Sequence, residues 1–173
     1  MKQILTVVTV WLSLMGVQFF GVSVSAHALE QGTVLTITGQ IAPQTEGTRE
    51  ARDVDFTIAD LETLPQTEMR TYTDWTEGLQ SFSGVLLKDL IDAIGASGKE
   101  IVATALNDYS ATIPVSDAYE LSVLLAIKHN GQYMRIRDKG PVWIIYPSTE
   151  SSSTKVNPYN DRMIWQLYRL EFR

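Results

Sequence analysis

Cysteine is absent from all 173 residues. That excludes a disulfide framework, a cysteine nucleophile and any thiolate ligand for a metal. Histidine occurs only twice, at His27 and His129, too sparsely for a histidine-rich metal centre or for the usual nucleophile–base pairs. Positive charge is scarce as well: 14 Lys and Arg stand against 20 Asp and Glu, for a net charge of −6 and a pI near 4.9. That balance argues against a protein whose main task is gripping nucleic-acid phosphates. There is no Ser–His–Asp arrangement, no phosphate-cradling glycine loop and no carboxylate pair at a recognisable catalytic spacing. What the chain does have is 45% hydrophobic and 20% charged residues, enough to build a packed core. Its length corresponds to one domain.

The N-terminus reads as an address. Lys2 precedes an apolar run from Ile4 to Val24, and Ala26-His27-Ala28 follows with the small-x-small pattern of a signal peptidase site. This predicts a signal peptide over 1–28 and an exported domain over 29–173. The alternative is an uncleaved anchor, because about twenty apolar residues can span a bilayer. An exported domain without cysteine must hold itself together by core packing.

Hydrophobic patterning predicts many short strands and two or three short helices. Thr33 to Thr38 is β-branched and ends at Gly39. The polar stretch 40–53 reads as a surface loop. Thr57 is a candidate N-cap with Asp60 three residues on, and Pro65 stops the helix they open. Glu68 to Thr73 alternates as a strand. Leu86, Leu87, Leu90, Ile91 and Ile94 recur at helical spacing before Gly95. Ile101 to Leu106 and Tyr109 to Ile113 form a hairpin-like pair around Asn107-Asp108. Ser116 to Tyr119 reads as one helical turn and Leu121 to Ile127 as a continuous apolar strand. Asn130-Gly131 signals a tight hairpin turn leading into Gln132 to Arg137. Val142 to Tyr146 reads as a buried strand, Ser148 to Thr154 as a flexible loop, and the chain closes with alternation over Arg162 to Arg173. The fold class is α+β, dominated by sheet, in a single domain.

Several of these segments together resemble the sulfite-oxidase-type molybdopterin-binding domain family. Phe56-Thr57-Ile58-Ala59-Asp60-Leu61 with Leu64-Pro65 is similar to its opening signature. Gly84-Val85-Leu86-Leu87-Lys88-Asp89-Leu90 resembles its Gly-Val-x-Leu-x-x-Leu helix. Asn107-Asp108-Tyr109 with Ile113-Pro114 resembles its Asp-x-Tyr strand pair. Leu125-Ala126, Asn130-Gly131 and Lys139-Gly140-Pro141-Val142-Trp143 resemble its Leu-Ala…Asn-Gly…His-Gly-x-Pro-x-Arg run. The resemblance spans about Leu35 to Phe172.

The departures narrow what the resemblance implies. The family's enzymes hold molybdenum partly through a cysteine between the first helix and the Gly-Val-x-Leu helix, and here that loop carries Trp75. The family's His and Arg in the last run are Lys139 and Trp143. An indole cannot replace a thiolate as a metal ligand. The resemblance therefore implies a retained fold without molybdenum, similar to a small exported branch that lacks the cysteine. For that branch it implies a periplasmic, non-catalytic regulator. The ligand would be a reduced pterin without metal. The partner would be the periplasmic domain of a membrane-bound signalling protein, an enzyme of cyclic-di-GMP metabolism. A divergent molybdopterin oxidoreductase and a ligand-free interaction module of the same fold are the alternatives. A monomer is the default.

The candidate ligand-binding residues each have a second reading. Trp75 can stack on a flat pterin ring or cover the sheet edge. Trp143 can do the same or belong to the core, and Trp165 reads as core. Asp108 can accept from the adjacent N–H and amino group of a pterin, though Asn107-Asp108 is also a common turn pair. Tyr109 can stack, donate its hydroxyl or sit half-buried in a strand. Arg135, Arg137 and Lys139 recur at period two, so an extended stretch would point all three to one face, toward a pterin tail, a phosphate or an acidic partner, or simply toward solvent. Asp138 would then alternate to the other side or lie in a turn. Tyr159 and Arg162 follow a flexible loop of the kind that closes a site. His129 reads as an exposed turn residue, and Asp89 and Asp92 as a solvated helix face.

Overall fold

The computed structural model describes residues 32–42, 53–149 and 157–173. The predicted signal segment, most of the predicted loop 40–53 and most of the Ser/Thr-rich stretch 148–154 lie outside the described residues. Ten strands and three helices are found among the described residues, arranged as two five-stranded sheets.

The first sheet joins the two ends of the described chain. Its strands are β1 (Leu35–Gly39), β2 (Val54–Phe56), β5 (Glu100–Ala105), β6 (Ser110–Pro114) and β10 (Leu167–Phe172), in the order β2-β1-β10-β5-β6. β1 and β10 run parallel, with Ile37 opposite Leu170, and the other pairs are antiparallel. The apolar positions of these strands form the core: Leu35 and Ile37 of β1, Ile101 and Ala103 of β5, and Leu167 and Leu170 of β10 are all fully buried.

The second sheet contains β3 (Gln66–Thr71), β4 (Gln80–Leu86), β7 (Leu124–His129), β8 (Gln132–Tyr133) and β9 (Trp143–Ile145). β3 pairs β4 and β4 pairs β7. β8 and β9 both pair β7, β8 at Lys128 and His129, β9 from Leu124 to Ala126. Between Tyr133 and Trp143 the chain thus leaves the sheet and returns to the same strand. Gly140 closes this excursion against Met134, whose carbonyl would overlap any Cβ placed there.

The helices begin and end for local reasons. α1 (Ile58–Thr63) carries a capping box: the Asp60 N–H donates to Thr57 Oγ1 at 3.1 Å and the Thr57 N–H donates to the Asp60 carboxylate at 2.9 Å. α2 (Leu87–Ile94) buries Leu87, Leu90, Ile91 and Ile94 and ends on Gly95 in the left-handed conformation, φ 60°. Leu86, predicted as the first helical residue, is the last residue of β4 instead.

Two expectations are corrected. The apolar run from Leu121 does not begin a strand there. α3 extends over Val115–Glu120, the Leu121 N–H closes it on Asp117, and Ser122 turns at φ 51° before β7 starts at Leu124. Gln132 to Arg137 is not one extended stretch either. Pairing stops at Tyr133, and Ile136–Asp138 forms a 3-10 turn. β7 has only two bonding edges, and β9 takes Leu124 to Ala126, the part of one edge that an extended β8 would otherwise have paired. The residues in between are left to turn.

Candidate functional site

The three tryptophans of the described chain meet on one face. Trp75 sits in the loop between β3 and β4, Trp143 opens β9, and Trp165 leads into β10. Their rings make a mutual edge-to-face triangle. Trp75 and Trp165 lie 5.3 Å apart, Trp75 and Trp143 6.1 Å, and Trp143 and Trp165 6.5 Å. Phe82 supports the triangle from β4, at 5.4 Å from Trp143. Such perpendicular contacts bring a positive ring edge onto a negative face.

Trp143 is 1% exposed and donates its indole N–H to the Met163 carbonyl at 3.3 Å. It is the buried base of the triangle. Trp75 and Trp165 are half-buried and keep free surface. They line a cavity of about 230 Å³ together with Asn107, Tyr109, Asn160 and Met163. Trp165, read from sequence as core, is therefore a wall of the cavity. Its signal was compositional: every tryptophan beyond the predicted signal segment, Trp75, Trp143 and Trp165, gathers here.

The polar groups around the cavity come from two turns. In the β5–β6 turn Asn107 Oδ1 accepts from the Tyr109 N–H at 3.2 Å, and the Tyr109 hydroxyl donates to the Asp161 carbonyl at 3.2 Å. Asp108 occupies the left-handed position of this turn, φ 65°, and is exposed between the two lining residues. On the other side Asn160 Nδ2 donates to the carboxylate of Asp74, the neighbour of Trp75. Asn160 Oδ1 is buried with no hydrogen-bond partner. An unpaired buried acceptor is costly unless a donor can reach it. The sequence reading passed over both Asp74 and Asn160, because only folding sets them side by side.

A second depression shares Trp75 with the first. It is about 470 Å³, lined by Trp75, Trp143, Gln80, His129, Arg137 and Lys139, among others. A third, about 590 Å³, continues past His129 and Asp138 to Arg135. His129 is not a bare turn residue. It stacks on Phe82 at 4.8 Å and shares a 2.9 Å hydrogen bond with Gln80. Burial, and then the Lys139 charge, push its pKa below the usual histidine range.

The expected row of cations is not formed. Because the chain turns after Tyr133, Arg135 and Arg137 both swing to Asp138, at 2.7 and 3.8 Å. Lys139, at φ 72°, instead lies over the rings of Trp143 and Trp165, 5.6 and 5.9 Å from their centroids. Asp138 lies between the arginines rather than on an opposite face.

Tyr159 and Arg162 serve a different cluster and do not line these three depressions. Tyr159 stacks on the buried Tyr146 at 4.8 Å, and the Arg162 guanidinium sits 5.8 Å from the Tyr159 ring. Arg162 pairs with the buried Asp117 at 2.7 Å, and the Tyr146 hydroxyl donates to the same carboxylate at 2.8 Å. These bonds tie the 3-10 turn Asn160–Arg162, and so Asn160, to α3.

No cluster of three or more His, Cys, Asp or Glu that could hold a metal occurs among the described residues. The aromatic walls and the buried acceptor suit a flat heterocycle bearing N–H groups; the donor set does not suit a molybdenum ion.

No curated protein sequence matches the chain. Among solved structures, the crystal structure of the sulfane dehydrogenase SoxCD from Paracoccus pantotrophus matches with a TM-score of 0.61 at 20% identity. The match covers 82% of this chain and 38% of that one, so the chain spans well under half the length of that protein. At that identity the likeness is one of fold. The oxidoreductase molybdopterin binding domain profile matches residues 44–155, which take in α1, α2, β9 and the Trp75 loop. The chain belongs to the oxidoreductase molybdopterin-binding domain family.

Proposed function

We propose that this protein is an exported pterin-binding regulator without a reaction of its own. It works in the periplasm, and its loaded form is recognised by the periplasmic domain of a membrane-bound enzyme of cyclic-di-GMP metabolism. The observation that carries the reading is the cavity walled by Trp75 and Trp165, with the buried, unpartnered Asn160 Oδ1 beside it. A pterin ring offers a flat face for the indoles and N–H donors for the acceptors. Two acidic residues adjoin residues that line the cavity: Asp108, between Asn107 and Tyr109, and Asp74, next to Trp75 and bonded to Asn160. Export is supported by the Lys2 and Ala26-His27-Ala28 signal pattern. The absence of cysteine from a family member supports a ligand held without molybdenum. Loading acts on the partner only insofar as pterin binds the docking-competent conformation better than the other.

The test is to purify the protein from the envelope of its own host and denature it without oxygen. The released material is then analysed by fluorescence-detected chromatography, mass spectrometry and metal analysis. Near-stoichiometric pterin without molybdenum is expected. Stoichiometric molybdenum would favour a divergent oxidoreductase. An empty protein that also fails to bind a tetrahydropterin in titration would leave a ligand-free interaction module.

A further inference from the structure

The most exposed large apolar side chain among the described residues is Ile136, at 58%. It sits in the 3-10 turn between Arg135 and Arg137, both exposed. Single exposed apolar residues are ordinary, but Ile136 is not isolated. Gln166, in the left-handed conformation at φ 52°, donates its side-chain amide to the Ile136 carbonyl at 2.8 Å and its N–H to the Lys139 carbonyl at 3.0 Å. Its own carbonyl accepts from the N–H of Leu106, which is 48% exposed. One residue therefore ties together the main chains of two exposed apolar residues from distant parts of the chain. The same residue directly follows Trp165, a wall of the cavity.

Charge marks this rim further. Within five residues Arg135, Arg137 and Lys139 stand against Asp138, to which both arginines turn, so the segment carries an excess of two positive charges. The chain as a whole is net −6. An apolar centre bordered by arginine is how protein interfaces are built.

We propose that the rim formed by Ile136 and Leu106, bordered by Arg135 and Arg137, docks a partner-protein surface of apolar side chains flanked by carboxylates. Gln166 links that rim to the cavity wall, so ligand occupancy and docking share one structural element. The proposal rests on the regulatory reading above and names the surface through which the protein is read.

The test uses the full chain in its own host, with a photo-crosslinking amino acid replacing Leu106 or, as a control, the 51% exposed Tyr119 of α3. From Leu106, one membrane-anchored protein is expected to be captured, at a peptide bearing Asp or Glu beside an apolar residue. Little of it should be captured from Tyr119. Ile136→Glu should cut the adduct at least tenfold while a tetrahydropterin titration of the purified variant matches wild type. Replacing the partner acid by Lys should weaken capture, and Arg137→Glu should then restore it. Adducts to lipid or to a second copy of this chain, equal capture from Tyr119, no adduct, or indifference to Ile136→Glu would each overturn the proposal. Should wild type bind no pterin while the Leu106 adduct persists, the pterin reading alone fails.

Discussion

Trp75 and Trp165 meet edge to face with ring centroids 5.3 Å apart and planes at 79°. One comes from the loop that carries a metal-binding cysteine in the enzymes this chain resembles, the other from the entry to the last strand. Their contact makes the cavity out of segments that share no local signal.

Trp75→Ala removes both ring contacts of that loop, each worth about 0.5–1.5 kcal/mol. The variant should stay folded by circular dichroism, with stability lowered by about 1–3 kcal/mol. Tetrahydropterin affinity should fall more than tenfold by calorimetry, and Trp75→Phe should recover part of it. Wild-type affinity in a folded Trp75→Ala protein would remove Trp75 from the site.

The Asp117 cluster predicts an alkaline limb. Burial, and then the hydrogen bond to Asp117, raise the Tyr146 pKa far above its ordinary value of about 10. The folded state keeps this proton where the unfolded state loses it. The stabilisation is full below about pH 10 and declines as pH rises beyond it. Tyr146→Phe should cost about 1–2 kcal/mol near neutrality, leaving Asp117 with Arg162 alone. Its deficit relative to wild type should narrow above pH 10 in urea titrations.

Thr57→Ala removes half of the capping box and should lower stability by about 1 kcal/mol. The Thr57 N–H, and then its hydroxyl, hold the Asp60 carboxyl below the usual range. That contribution is present above the ordinary carboxylate pKa and is lost as pH falls through the lowered folded value. The Tm difference between wild type and Thr57→Ala should therefore shrink in acid.

Gly84→Ala tests a glycine read from sequence only as part of a motif. A Cβ at Gly84 would overlap the Leu125 carbonyl, backbone that cannot swing aside, where β4 pairs with β7 beside an irregularity at Ser83. The cost should be about 1–3 kcal/mol or more, seen as a lowered urea midpoint at unchanged m-value.

Local chemistry was legible along the chain. Thr57, Asp60 and Pro65 bound α1 because a cap and a stop act within a few residues. The spacing of Leu87, Leu90, Ile91 and Ile94 buries one face of α2. Asn130-Gly131 turns with both φ angles positive, as its composition required. Where the reading failed, a neighbour had the deciding voice. The period-two cations stopped being a row because β9 takes the part of the β7 edge beyond β8. Which residues Tyr159 and Arg162 meet, Tyr146 and Asp117, was likewise set by the fold.

The sequence by itself determined that no thiolate can hold a metal here, that the fold is sheet-dominated, and where most helices and turns fall. Those properties depend on composition or on neighbours a few residues apart. Only the tertiary structure decided that Trp75, Trp143 and Trp165 form one triangle, that Asn160 meets Asp74, and that Gln166 joins Ile136 to Leu106. These contacts link residues far apart in sequence, and their partners are chosen by strand order and sheet edges, which no local pattern encodes.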